Sequence, residues 1–297
     1  MTLASCRAAL AAASGATEII VVDDASTDGT RELLAAETPH VRVVRLETNQ
    51  RFAGAANAGV AVSRGPIVML LNSDALVERE ALAALVAVFD ADPRLGIAGA
   101  RLIGADGARQ WSGGPMPTLP WLFVQASGFA ALLRKRRHRA KERRVAWVSG
   151  AAMAFRRTVW NIAGPLNDRY QFYAQDLEFC DRARQAGWDV RIVEDARVIH
   201  DGGATLRRWR PVSDLPHDPA LLWPDLLMWS RNRHGPLWAA SAHVLICVGA
   251  FIRIAARRAR ELLLRGEERR RSRSTTAVYA AALRELVIKR EEPSNQR

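Results

Sequence analysis

The sequence predicts an α/β fold with a mainly parallel sheet flanked by helices, followed by a helical C-terminal extension. Three observations lead there. Through Leu102, short β-branched runs alternate with helical patterns, the rhythm of βαβ units. Two apolar runs end on acids, Ile19-Ile20-Val21-Val22-Asp23-Asp24 and Ile67-Val68-Met69-Leu70-Leu71-Asn72-Ser73-Asp74, and a third acid, Asp176, follows Phe172-Tyr173-Ala174-Gln175. Ligands of open α/β sheets bind beyond the carboxyl ends of the strands, so these acids point to one shared site suited to a nucleotide, a divalent cation and a proton transfer. Beyond Leu221, tryptophans (Trp223, Trp229, Trp238) and arginines (Arg231, Arg233, Arg253) interleave along helical patterns.

Each element has its own signal. Leu3 to Ala13 is alanine-rich and reads as an amphipathic helix, because Met1 to Ala16 has neither the basic n-region nor the unbroken apolar stretch of a signal peptide. Strands are predicted at Glu18 to Asp23, Val41 to Leu46, Ile67 to Asn72 and Ile97 to Leu102, and helices at Thr30 to Glu37, Ala53 to Ser63 and Glu80 to Asp90. Ser26-Thr27-Asp28-Gly29-Thr30 supplies capping oxygens and a glycine between strand and helix. Gly104-Ala105-Asp106-Gly107 reads as a hairpin turn, Ser112 to Pro120 as an irregular loop, and Val145 to Phe155 as one continuous buried strand. Leu177, Cys180, Ala183 and Ala186 recur at helical spacing up to Gly187, a good C-cap, which places Asp176 in the first turn of that helix. A short strand pair from Val190 to Ile199 then leads to His200.

At 297 residues and 49% hydrophobic, the chain can bury one large core and divide into one or two domains. A formal net charge of +12 calls for an anionic partner. The basic residues gather at Arg134 to Arg144 and Arg253 to Arg273, away from an acid-rich first hundred residues, which fits basic tails on a catalytic core better than a nucleic-acid groove. Three cysteines, Cys6, Cys180 and Cys247, have no short spacing for a zinc or redox pair and suit a reduced, cytoplasmic setting. No fully apolar run reaches the roughly 18 residues of a membrane span, though Leu237 to Ile252 comes close.

Five segments taken together resemble a family 2 glycosyltransferase of GT-A type, particularly the bacterial rhamnosyltransferase-like branch. They are Ile20 to Thr30, Asn49-Gln50-Arg51-Phe52-Ala53-Gly54-Ala55-Ala56-Asn57-Ala58-Gly59, Leu71-Asn72-Ser73-Asp74, Tyr173 to Cys180, and His200-Asp201-Gly202-Gly203. Each is weak or moderate alone, but they occur in the expected order across roughly the first two-thirds of the chain. The resemblance implies a Rossmann-like nucleotide-binding sheet at 1–212, with 213–297 as a basic, helical extension. It also implies inverting transfer of a sugar, L-rhamnose foremost, from a dTDP- or UDP-sugar to a hydroxyl of a glycan or polyprenyl-linked acceptor in cell-surface polysaccharide synthesis.

By that resemblance Asp24, supported by Asp23, accepts the ring N3-H of uracil or thymine, a charge-assisted bond; capping of the following turn is the plainer role for both acids. Asn49, Gly54 and Asn57 lie on a loop entering a helix, where small residues admit a diphosphate and the helix N-terminus favours its charge. Tight helix-sheet packing explains Gly54 and Gly59 equally well. Related enzymes hold Mg²⁺ or Mn²⁺ on an Asp-X-Asp motif, which here reads Asn72-Ser73-Asp74. Asp74 is then the metal ligand, Ser73 lies beside the donor, and His200 resembles the later histidine of such sites, a core or surface position otherwise.

Asp176 is the expected general base, taking the proton of the attacking hydroxyl, with its place in a helix's first turn expected to keep it ionised. An acid that only complements the helix dipole is the alternative. Gln175 stands where the family usually has Glu, and Trp147, Ser149 and Gly150 resemble the segment lining the acceptor pocket, Trp147 being otherwise a core residue. The resemblance implies an opening apolar strand ahead of the first helix, and by it Met1 is expected to fall where that helix should begin. Arg134 to Arg144 suits anionic headgroups or, more commonly, a solvated loop, and the helix from Leu237 through Arg260, with Trp238 at headgroup depth, suits an anionic membrane surface on the inner face of the cell membrane or, equally, packing on the catalytic domain. Rival readings are weaker. The chain lacks the glycine-rich phosphate loop and lysine of a nucleotidyltransferase and the Gly-X-Gly-X-X-Gly of a dehydrogenase. A basic membrane- or nucleic-acid-binding protein with an impaired site is the remaining alternative.

Overall fold

The computed structural model describes residues 1–15, 17–38, 41–131, 142–202, 215 and 217–288. Its elements in chain order are α1 (Thr2–Ala12), β1 (Ile20–Asp23), α2 (Thr30–Glu37), β2 (Arg42–Arg45), α3 (Arg51–Val62), β3 (Ile67–Leu71), β4 (Ala75–Val77) and α4 (Ala81–Ala91). There follow β5 (Leu95–Ile103), β6 (Gly113–Gly114), α5 (Leu119–Ser127), β7 (Glu142–Arg144), β8 (Trp147–Val148), β9 (Ala152–Arg156), α6 (Arg157–Ala163) and α7 (Gln175–Gln185). The chain ends with β10 (Asp189–His200), α8 (Pro219–His234), α9 (Pro236–Leu263) and α10 (Gly266–Ile288).

Two compact units result: Met1–Met116, Arg139–Gln171 and Gln175–Gly202 form the first, and Pro117–His138, Phe172–Ala174 and Gly203–Arg297 the second. The division is thus not a single cut near residue 212, because α5 joins the C-terminal helices. Near that expected boundary the sequence has Pro211, Pro216 and Pro219, residues that interrupt helices; Pro211 and Pro216 lie outside the described residues, as does most of the basic stretch Arg134 to Arg144. Pro219 starts α8 instead of interrupting it, in the position after the Asp218 cap where its missing N-H costs nothing.

In the first unit β1 and β2 form a parallel ribbon, Ile20 opposite Arg42 and Asp23 opposite Arg45. A six-stranded sheet runs in the order β3-β9-β5-β10-β4, with β7 also on β10. Among the described residues only β5 and β10 pair in parallel there; the other pairings are antiparallel. The mainly parallel sheet read from the βαβ rhythm is therefore a mixed one. A hydrophobic run specifies burial but not direction, and β9 enters from far along the chain between β3 and β5.

Two further strand expectations change for physical reasons. Val145 to Phe155 is not continuous: it breaks at Ser149–Ala151 because β8 pairs with β6 whereas β9 pairs with β3 and β5. Val190 to Ile199 is not a strand pair but part of the single strand β10, whose register on β5 jumps between Val193 and Arg197. Glu194 lies within this irregularity and meets Arg101 at 3.3 Å and Arg109 at 3.6 Å. The hairpin turn at Gly104 is present, closed by an N-H···O bond from Gly104 to Ala108 at 2.8 Å.

The core of this unit packs α4 (Leu85, Phe89) on β5 (Leu95, Ala98, Ala100, Leu102), β9 and β10. Gly99 is required by close approach, since a Cβ there would fall 2.6 Å from Val148 Cβ. The second unit buries Leu122, Trp223, Ile246, Ala250, Tyr279 and Leu286 among α5, α8, α9 and α10. Gly249 lets α9 cross α5 closely: a Cβ would lie 3.0 Å from Phe123 O and Ser127 N. Arg253 is committed inward, donating to Gln125 O at 2.6 Å with its guanidinium 4.5 Å from the Tyr279 ring centroid. The opposite face of α9 leaves Leu237, Val244, Val248 and Phe251 exposed, the last at 66%.

Candidate functional site

The apolar strands β1 and β3 each lead into acids, Asp23 and Asp24 directly after Val22 and Asp74 three residues beyond Leu71. Asp23 is buried; its Oδ1 accepts the Ser26 N-H at 2.9 Å, and its Oδ2 has no hydrogen-bond partner among the described residues. Asp23 thus does cap the turn. Asp24 does something else: its Oδ1 accepts the Gln50 N-H at 2.6 Å, tying β1 to the start of α3. Asn49 knits the same corner, donating to Asp24 O at 3.4 Å and accepting from Arg51 N at 3.1 Å.

Farther along α3 the helix is structural. Asn57, read above as facing a diphosphate, commits both ends of its amide to the Leu166 backbone, at 2.9 and 3.0 Å, and so braces the helix. A Cβ at Gly59 would lie 3.0 Å from Val22 Cγ2, the helix-sheet packing explanation. At Gly54 the close neighbour is Gln50 one turn earlier, 2.5 Å from a Cβ, so Gly54 leaves room for the side chain at the head of the helix.

Beyond β3, Asn72 donates its N-H to Ala151 O at 3.0 Å, and Ser73 is exposed. Antiparallel pairing of His200 with Ala75 brings β10 beside this turn, placing His200 Nε2 3.5 Å from Asp74 Oδ1. The Asp74 side chain is only 6% exposed and that of His200 13%. Among the described residues no cluster of three or more His, Cys, Asp or Glu side chains forms a metal cage. One carboxylate and one imidazole suit a divalent cation whose other positions belong to substrate phosphates and water, the usual manner of Mg²⁺.

Asp176 stands at the head of α7. Its Oδ2 accepts the Gly150 N-H at 2.9 Å and its Oδ1 the Leu177 N-H at 2.8 Å. Burial raises its pKa above the ordinary aspartate value, and the N-H donors of Gly150 and Leu177 oppose that shift without reversing it. This corrects the expectation that the helix terminus lowers it: loss of water around the carboxyl outweighs the dipole. Gly150 also touches α3, since a Cβ there would be 2.8 Å from Phe52 Cζ and 3.6 Å from Asp176 Cβ. The turn Ser149–Ala151 therefore links three of the predicted parts, with Phe52 on one side, Asp176 on another and Asn72 through Ala151 O.

The expected acceptor residues divide. Trp147 is buried, donates its indole N-H to Pro115 O at 3.1 Å, and meets Trp111 edge-on at 4.9 Å, so it is wall rather than a sugar platform. Trp111, half-buried, is the outer ring of that pair. Ser149 N-H bonds Ser112 O at 3.0 Å, and Gln175 is buried. Sequence reasoning missed Phe52, Trp111, Gln110 and Asp225. Asp225 is fully buried in the second unit and accepts the N-H groups of Phe172 and Tyr173 at 2.9 and 2.7 Å. Burial in that unit also pushes Tyr173 up and holds His217 down at about 4. Backbone strain marks the same places: among the described residues, those other than glycine with positive φ are Ala25 (58°), Arg51 (60°) and Ala174 (68°), each next to or near a predicted site residue.

The chain is similar in sequence and fold to several known proteins. Residues 2–162 match the family model described as Glycosyl transferase family 2. The N-acetylglucosaminyl-diphospho-decaprenol L-rhamnosyltransferase of Mycobacterium tuberculosis is 27% identical over 257 residues, 78% of this chain and 81% of that protein. The succinoglycan biosynthesis protein ExoO of Rhizobium meliloti is 34% identical over 122 residues, 40% of this chain and 35% of its own. Among solved structures, the mannosyltransferase PcManGT from Pyrobaculum calidifontis, in complex with GDP-Man and Mn²⁺, superposes with a TM-score of 0.54 at 19% identity, covering 92% of this chain and 79% of that one.

Proposed function

The chain belongs to glycosyl transferase family 2, and from that premise we propose that it is an inverting, divalent-cation-dependent enzyme that moves L-rhamnose from a dTDP-linked donor to a hydroxyl of a lipid-linked glycan. The carrying observation is the Ser149–Ala151 turn, which holds Asp176 through Gly150 and the Asn72–Asp74 segment through Ala151. Asp24 and Asp23 take the pyrimidine edge, Asn49 and Ser73 line the donor, and Asp74 with His200 would hold Mg²⁺ or Mn²⁺. When bound, that cation neutralises charge developing on the leaving nucleoside diphosphate. Asp176 accepts the acceptor hydroxyl's proton as its oxygen bonds the anomeric carbon and the carbon-phosphate oxygen bond breaks. Gly150 and Gln175 border the base on the acceptor side, with Ser149 next to them.

The rhamnosyltransferase relative supports both the sugar and the lipid-linked acceptor. A panel of nucleotide-sugars hydrolysed by the purified protein tests the reading. We expect dTDP-L-rhamnose to be cleaved fastest, only with Mg²⁺ or Mn²⁺ present, and turnover of a UDP-hexose alone would overturn the donor assignment.

The second unit supports a place on the inner face of the membrane. Helix α9 is long and apolar enough to cross a bilayer by length and composition alone, and little of its apolar stretch is buried. Leu237, Val244 and Phe251 recur every seven residues on its exposed face, with Arg258, Arg260 and Arg265 exposed beyond them. Such a helix lies in the headgroup layer, its arginines drawn to anionic lipid at about 1 kcal/mol each. Trp238, expected at headgroup depth, is instead half-buried against His234 and Trp229. The full chain should sediment with phosphatidylglycerol vesicles and not with phosphatidylcholine, and Phe251→Glu should weaken that binding about tenfold or more. A protein left in the supernatant at low salt rejects membrane attachment.

A further inference from the structure

Gln110 follows the hairpin turn after β5, its N-H bonded to Leu102 O at 3.0 Å. Its side-chain Nε2 donates to the main-chain O of His200 at 2.7 Å, and its Oε1 lies 2.9 Å from His200 Nδ1. A main-chain carbonyl only accepts, so the amide nitrogen must face it and the amide oxygen must face the ring. That oxygen also only accepts, so the network assigns the proton to Nδ1. A neutral ring protonated there has a bare Nε2, the atom 3.5 Å from Asp74 Oδ1. A lone pair and a carboxylate facing each other at that distance call for a cation. The Asn72 amide, also 3.5 Å from Nε2, is at the limit of hydrogen-bond reach. Gly202 closes the cage, since a Cβ there would sit 3.1 Å from Gln110 Oε1.

We propose that Gln110 is a positioning residue that fixes His200 in the Nδ1-H tautomer, with Nε2 turned toward Asp74 to take a divalent cation. Metal-bound histidines depend on such a partner at the other ring nitrogen for orientation and basicity. The inference rests on the metal reading of Asp74 and His200 given above.

The test is Mn²⁺ binding to the full chain with UDP present, free Mn²⁺ being read by electron paramagnetic resonance, alongside ¹H-¹⁵N correlation of the His200 ring without metal. Gln110→Met should weaken Mn²⁺ by about 10- to 100-fold while leaving metal-free UDP binding unchanged, and Gln110→Glu, which keeps an acceptor for Nδ1-H, should lose less. The wild-type ring should show the Nδ1-H pattern. An Nε2-H pattern in wild type overturns the proposal, as does a folded Gln110→Met that binds Mn²⁺ within twofold of wild type. If Gln110→Met does not fold, the wild-type tautomer decides. Wild type that binds no Mn²⁺ sinks the metal reading instead, while the ring spectrum still reports what Gln110 does.

Discussion

Replacing Asp176 with Asn lowers kcat by about 10²- to 10⁴-fold, the range for loss of a positioned general base, and leaves the KM for the nucleotide-sugar within a few-fold. The split follows from location: Asp176 is held by Gly150 and Leu177 at the head of α7, not by the β1 and α3 residues assigned to the nucleotide. Because burial raises its pKa, the acid limb of kcat/KM should lie above the ordinary aspartate value of about 3.9. Stability carries the same sign. The folded state disfavours the charged form, so the contribution is fully present below the unfolded pKa and is lost as pH rises through the raised folded one. Asp176→Asn escapes that loss, so its melting temperature relative to wild type should climb across this window. Steady-state kinetics with one donor and a thermal series in pH check both, and a kcat within tenfold of wild type at neutral pH removes Asp176 from the chemistry.

The Asp74→Ala change has the second large effect. With one carboxylate and one imidazole available, removing the acid leaves His200 alone, and metal-assisted stabilisation of the leaving diphosphate, worth several kcal/mol, is lost. We expect kcat/KM to fall about 10²- to 10³-fold and Mn²⁺-dependent UDP binding to disappear, with metal-free UDP affinity retained. Asp74→Asn preserves shape and should behave alike. Unchanged Mn²⁺ affinity in both variants would place the cation elsewhere.

The junctions between apolar strand and acid were legible because both halves of the signal are local. Asp23, Asp24 and Asp74 sit where β1 and β3 run out, and Thr30–Glu37 is helical to the residue. Asp176 was readable from the cap at Gly187 and the spacing before it, with α7 covering Gln175–Gln185. Trp147 and Asn57 show the limit of that reading. A tryptophan in an apolar run and an asparagine on a helix have several possible partners, and only the presence of Pro115 and Leu166 selects among them. Gln110 and Asp225 carried no pattern at all, since each acts on backbone groups far away along the chain.

By itself the sequence determined the family, the α/β alternation and the acids at strand and helix ends, all properties of contiguous residues whose hydrophobic period and capping chemistry repeat locally. Tertiary structure alone decided the strand directions, the break at Gly150 that ties Asp176 to α3 and β3, the transfer of α5 to the C-terminal helices and the raised pKa of Asp176. Those depend on which distant groups exclude water and meet each other, and burial and hydrogen-bond partnership are properties of the folded chain rather than of any segment.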